Sequence, residues 1–190
     1  MKTTLSISLA AIAAFTGSAF AGTPVKTVVP PEPEFYRAGE FQGSVSFLGA
    51  ARNGGNRAFG PLAGASAWTE DTAPGVDMEL RYFITRNFGV GLEGEWLATR
   101  RDLFGSALNF YLRAPLNQHS RWAPYLFAGV GGLYGGGGGA HLEGHIGGGL
   151  EYRITPTVGL FGDGRYEWVD ATRNGVPQFG AMRLGVNIVF

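Results

Sequence analysis

The last nine residues alternate. Met182, Leu184, Val186, Ile188 and Phe190 share one face of an extended chain, and Arg183, Gly185 and Asn187 share the other. A period of two is the signature of a strand with one apolar and one polar face. The apolar face is unbroken over five positions and ends on the aromatic Phe190. Such a strand fits the closing strand of a β-barrel, and the rest of the chain must then supply seven more.

It does so by the same pattern. The first strand is expected near Phe41 to Ala50, with Phe41, Gly43, Val45 and Phe47 opposite Gln42, Ser44 and Ser46. A long Gly-, Asn- and Arg-rich connection covers Ala51 to Ala73. The second strand, Gly75 to Phe83, sets Val76, Met78, Leu80 and Tyr82 against Asp77, Glu79 and Arg81. After the short turn Ile84–Asn87, the third runs Phe88 to Trp96, with Glu93 and Glu95 on its polar face. The fourth, Phe104 to Arg113, follows a charged loop. The fifth, Tyr125 to Gly132, is apolar on both faces, and alternation leaves its phase open. A glycine-rich loop at Leu133 to Ala140 precedes the sixth strand, His141 to Ile154. The seventh spans Val158 to Trp168 and the eighth Gln178 to Phe190. Each is near the roughly 9–11 residues a tilted strand needs to cross a bilayer. An internal repeat supports the count: Tyr82, Ile84, Thr85, Gly89 and Gly94 recur seventy residues later as Tyr152, Ile154, Thr155, Gly159 and Gly164.

The amino-terminus predicts export. Met1 to Thr4 is short and basic, Leu5 to Phe15 is mostly apolar, and Ala19-Phe20-Ala21 is a small-residue cleavage site. Residues 1–21 read as a signal peptide. Residues 22–40 read as a Pro-rich periplasmic lead that cannot pair as a central strand, since it holds Pro24, Pro30, Pro31 and Pro33. Residues 41–190 form the barrel. The chain has no cysteine, which excludes disulfides, thiolate metal sites, a thiol nucleophile and a lipid attached at the cut. A formal net charge of zero argues against nucleic-acid binding. Lysine occurs only at Lys2 and Lys26, so nearly all positive charge is arginine, the residue suited to ion pairs and phosphate.

Three features point the apolar face outward, to lipid. The polar face carries both signs, with Asp77, Glu79, Glu93, Glu95, Glu143, Glu151, Asp163 and Glu167 against Arg81, Arg113, Arg153, Arg165 and Arg183. A narrow eight-stranded interior is filled by side chains, and charges survive there when paired. Tyr82, Trp96, Tyr152, Tyr166 and Trp168 fall near strand ends, where aromatic girdles sit at bilayer interfaces. The chain also stops on Phe190. The expected fold is an all-β, eight-stranded, antiparallel up-and-down transmembrane β-barrel.

With its signal peptide, alternating strands, Ala123–Gly131 segment and terminal Phe190, the chain resembles the small outer-membrane β-barrels. These include the transmembrane domain of outer-membrane protein A and the opacity-type surface proteins. The resemblance implies a bacterial outer-membrane location, a monomer, and recognition of Phe190 and its alternating strand by the barrel-assembly machinery. No second domain is expected after the eighth strand.

The functional expectation is a non-enzymatic structural or surface-interaction protein without cofactor. One alternative is a narrow pore for ions or small solutes. Another is a lipid A-modifying hydrolase. His141, Glu143 and His145 point the same way on a strand and could hold a metal with an open position. They could also serve such a hydrolase, but the only serine beside a histidine is Ser120, after His119, in a turn on the other side. A polar lumen network is the plainer account of these residues. Arg52, Arg57, Arg100, Arg101 and Arg173 lie in the expected outer loops, where guanidinium groups could meet lipopolysaccharide phosphates.

Overall fold

The computed structural model describes residues 33–52, 72–99, 102–117, 119–135, 140–169 and 178–190. The expected signal peptide and most of the lead lie outside them. So do Arg57, Arg100, Arg101 and Arg173 and the side chain of Arg52.

Eight strands close into one antiparallel barrel. They are β1 (Glu40–Arg52), β2 (Thr72–Phe83), β3 (Phe88–Leu97), β4 (Leu103–Arg113), β5 (Trp122–Gly135), β6 (Ala140–Arg153), β7 (Val158–Val169) and β8 (Gln178–Val189). Each pairs with its neighbours in sequence, and β1 pairs with β8 from Gln42↔Val189 to Arg52↔Phe179. Closure gives every strand a paired neighbour on both sides, so no strand is left as a free edge.

Six of the eight strands are longer than alternation alone marked, chiefly at the ends remote from the short turns; β6 keeps its length and β8 ends one residue early, at Val189. β2 begins at Thr72 rather than Gly75, and β5 runs from Trp122 to Gly135 rather than Tyr125 to Gly132. Neighbour pairing extends a strand through residues whose own pattern is weak. Pro74 opposite Gly49 is one such residue.

Burial follows parity. Along β2 and β4 exposed and buried residues alternate without a break. The outward face carries Phe47, Met78, Leu92, Leu126, Leu142 and Leu184, all more than 60% exposed. An apolar band this continuous marks a surface meant for an apolar environment. β5 acquires its phase: Ala123, Tyr125, Phe127 and Leu133 are buried, while Leu126, Val130 and Tyr134 point out.

Outward aromatics collect at two levels. Near the short turns the Phe41 and Phe190 rings lie 6.0 Å apart, and Trp122 and Tyr152 lie 4.5 Å apart. At the opposite end the register sets Trp96 beside Phe104 and Phe104 beside Tyr134.

The seventy-residue repeat has a structural cause. In the turn after β2, Thr85 Oγ1 accepts the Phe88 N–H at 2.9 Å; after β6, Thr155 Oγ1 accepts the Val158 N–H at 3.0 Å. The backbone closes each turn as well, Thr85 N–H to Phe88 O and Thr155 N–H to Val158 O. A threonine hydroxyl that mimics a backbone acceptor is a common way to fix so short a connection.

Candidate functional site

The candidate site is the barrel interior, which is filled in layers. At the short-turn end, residues 33–39 fold across the mouth. Gly39 has φ +73°, a left-handed turn that favours glycine and swings the chain into β1. Tyr36 is only 2% exposed and Phe35 5%. The Tyr36 hydroxyl donates to the Arg121 carbonyl at 2.8 Å, and its ring lies between the guanidinium groups of Arg113 (4.7 Å) and Arg153 (4.8 Å). Burial, reinforced by the Glu151 charge, lifts its ionisation well above the ordinary tyrosine range, so it stays a neutral donor. Glu40 accepts from Arg113 at 2.9 Å, from Arg153 at 2.5 Å and from Gln42 at 2.5 Å. Arg153 also pairs with Glu151. Two carboxylates here face two guanidiniums.

The middle layer is built on Arg81 and Arg183. Arg81 grips Glu79 with Nε at 2.8 Å and Nη2 at 2.7 Å. It stacks over Tyr111 at 4.7 Å and Phe161 at 4.9 Å. Arg183 clasps Asp163 with two bonds, 2.9 and 3.0 Å, and reaches Glu93 at 3.1 Å and Asp77 at 3.4 Å. Tyr125 donates to Asp163 at 2.7 Å and Tyr111 to Glu79 at 2.5 Å. Planar forks on aromatic faces combine bidentate pairing with cation–π attraction. Asn109 donates to Glu79 at 3.0 Å and to Glu93 at 2.6 Å.

Above it Arg165 pairs with Glu93, Glu95 and Glu167. Glu143 and His145 stand beside this group, 3% and 1% exposed. The last layer is apolar. Leu48, Ala50, Ala73, Leu97, Leu103, Leu133, Val169, Phe179 and Ala181 form one buried cluster at the loop ends of the strands. Every one of these nine is at most 3% exposed. The lumen is therefore capped by apolar side chains at one end and by Phe35 and Tyr36 at the other.

All thirteen charged residues expected on the polar face are buried in the interior, spread over the three layers. Sequence reading put Asn109 and Tyr111 on the polar face with Arg113, but missed Tyr36, Tyr125 and Phe127, which had no polar-face signal, and left Glu40 in the lead rather than the barrel. It missed the apolar cap too, leaving Leu97 and Leu103 in the charged loop, although Leu97 shares its face with Glu93 and Glu95. The His141, Glu143 and His145 donors do not converge as a metal set. Among the described residues the group whose ligand atoms lie within 4.8 Å of one another is Glu95, Glu143 and Glu167. His141 sits half-buried nearer the rim, whereas His145 Nε2 bonds Asn109 Oδ1 at 2.8 Å. The lumen serines are not paired with His145: Ser46 bonds Asp77 at 3.1 Å and Ser44 the Glu79 carbonyl at 3.4 Å. Met182, Leu184, Val186, Ile188 and Phe190 all point outward from β8 and the residue after it.

Gly129 marks how closely the interior is packed. A Cβ there would stand 2.0 Å from Asn109 Oδ1 and 2.4 Å from His145 Nε2. Gly129→Ala must part those two groups, and overpacking of this kind costs about 1–3 kcal/mol. The expected result is a lower urea midpoint for the variant in micelles. An unchanged midpoint would mean that the interior is looser than described.

No protein-family model matches the chain. No curated protein matches it either. Solved structures do. Neisserial surface protein A covers 80% of this chain and 96% of its own, with 17% identity and a TM-score of 0.53. The outer-membrane protein OprG from Pseudomonas aeruginosa covers 82% and 97%, with 12% identity and a TM-score of 0.53. The attachment invasion locus protein Ail of Yersinia pestis covers 80% and 99%, with 16% identity and a TM-score of 0.51. At these identities the likeness is one of fold. The closed barrel, the outward apolar band and these structures together show that the chain has the fold of the small eight-stranded outer-membrane β-barrels.

Proposed function

We propose that the protein is a non-enzymatic bacterial outer-membrane barrel whose interior is a rigid filling and whose loops act at the cell surface. The observation that carries this reading is the closed lumen. Every inward charged side chain described in the strands is 6% exposed or less, and apolar layers lie above and below these side chains. Among the described residues the interior is packed with side chains rather than lined by exposed ones, which favours a filling over a pore. The chain resembles in fold one protein described as a surface protein and another described as an attachment protein. The fold leaves function to the loops. Planar-bilayer recording tests the reading: no unit conductance steps are expected from the folded chain, and reproducible steps would restore the pore.

The loops' partner, on this reading, is lipopolysaccharide. Arg52, Arg57, Arg100, Arg101 and Arg173 supply guanidinium forks for its phosphates. The double variant Arg100→Ala/Arg101→Ala should retain roughly tenfold less lipopolysaccharide through purification, the loss of about 1.4 kcal/mol. Equal retention would remove these two residues from the contact.

A further inference from the structure

Charge is not balanced evenly along the lumen. Among the described residues nine buried carboxylates face five buried arginines. At the short-turn end Glu40 and Glu151 match Arg113 and Arg153. In the middle Asp77, Glu79 and Asp163 gather around Arg81 and Arg183. Near the loop end four carboxylates, Glu93, Glu95, Glu143 and Glu167, stand around the single guanidinium of Arg165, and only Glu93 also reaches Arg183. The negative excess is thus concentrated in one layer, whose charged side chains are all buried. Unpaired charge is costliest in such a place.

Three of the four converge. Glu95, Glu143 and Glu167 each place a carboxylate oxygen within 4.8 Å of the others, and all three are buried. Arg165 engages Glu95 through Oε2 and Glu167 through Oε1. Among the described residues Glu95 Oε1, Glu143 Oε2 and Glu167 Oε2 have no hydrogen-bond donor.

His145 supplies a second, independent observation. Asn109 uses its amide N–H groups on Glu79 and Glu93, which leaves Oδ1 as an acceptor. His145 Nε2 bonds that oxygen and so must be the donor. The other ring nitrogen, Nδ1, carries the lone pair in the neutral ring. Among the described residues it has no hydrogen-bond partner, and it lies 3.9 Å from Glu143 Oε1. A buried lone pair facing a buried carboxylate calls for a positive centre nearby.

We propose that Glu95, Glu143 and Glu167 bind one divalent metal cation inside the barrel, with His145 at the edge of the site. Carboxylate oxygens suit hard divalent ions, and a doubly positive ion offsets most of the excess charge of this layer. The apolar cap of Leu97, Leu103, Leu133 and Phe179 lies on the loop side of these carboxylates, so the ion enters as the barrel closes rather than afterwards. Once in place it is held.

The test uses the chain folded into nonionic detergent micelles, with calcium, magnesium, manganese and zinc present together at equal concentration. After desalting into chelator, metal content is read by plasma mass spectrometry. About one equivalent of a divalent metal should stay with the wild-type barrel, and the ion retained names the occupant. Glu143→Gln removes a ligand without breaking any arginine pair, and it should lose at least nine-tenths of that metal. Glu167→Gln is the second variant should the first not fold. A wild-type barrel that folds with no bound metal would overturn the proposal, with protons then left to neutralise the layer. Equal retention by a folded variant would also overturn it, because the metal would then sit elsewhere.

Discussion

Arg183→Met is expected to destabilise the folded barrel by about 3–5 kcal/mol, the range for removing one partner of a buried ion pair. The guanidinium of Arg183 holds Asp163 through two bonds and reaches Glu93 and Asp77 besides. Methionine keeps much of the volume and can still pack on the Phe127 ring, over which Arg183 now lies at 5.0 Å. What it cannot do is neutralise. Buried carboxylates left without their cation lose far more than one hydrogen bond. The urea midpoint of the folded chain in micelles gives the effect. Adding Asp163→Asn to Arg183→Met should recover part of the loss, because the unmatched charge is then smaller. Additive penalties from the two changes would show that the pair is not coupled as the geometry requires.

Leu92→Arg should cost about 2–4 kcal/mol in a bilayer, the value for a basic residue at the midplane of a barrel's lipid face. Leu92 lies at the middle of β3, points outward and is 65% exposed. In water that exposure would make arginine harmless or helpful. In hydrocarbon the guanidinium has neither solvent nor counter-ion. The sign of the effect therefore separates a membrane barrel from a soluble one. Folding yield into phospholipid vesicles, measured over a urea series, reads it directly. A neutral or stabilising result would place the apolar band in water and reverse the assignment of the two faces.

Much of the fold is legible in the sequence because a barrel of this kind obeys one rule along its whole length. Where one face is apolar and the other charged, as in Val76 to Tyr82 against Asp77 to Arg81, parity alone tells inside from outside. The rule fails on β5. Tyr125 and Phe127 face the lumen as stacking surfaces for Arg81 and Arg183, at 5.9 and 5.0 Å, so an inward residue there is as apolar as an outward one. Their inward aim depends on arginines of other strands, which no local pattern reports. Tyr36 was hidden for the same reason, since its partners Arg113, Arg121 and Arg153 lie far along the chain. His145 was visible as a candidate ligand beside Glu143. The structure instead joins Glu143 to Glu95 and Glu167, which come from β3 and β7. Spacing within a strand shows which side chains share a face. It does not show which strands meet across the lumen.

The most direct test of the account is depth measurement with nitroxide spin labels at Leu92, Leu126, Leu160 and Leu184 in phospholipid vesicles. These four outward positions lie on β3, β5, β7 and β8. All four labels should collide readily with oxygen and poorly with a water-soluble nickel complex, as side chains in hydrocarbon do. Ready collision with the nickel complex at all four would put the band in water and contradict the membrane barrel.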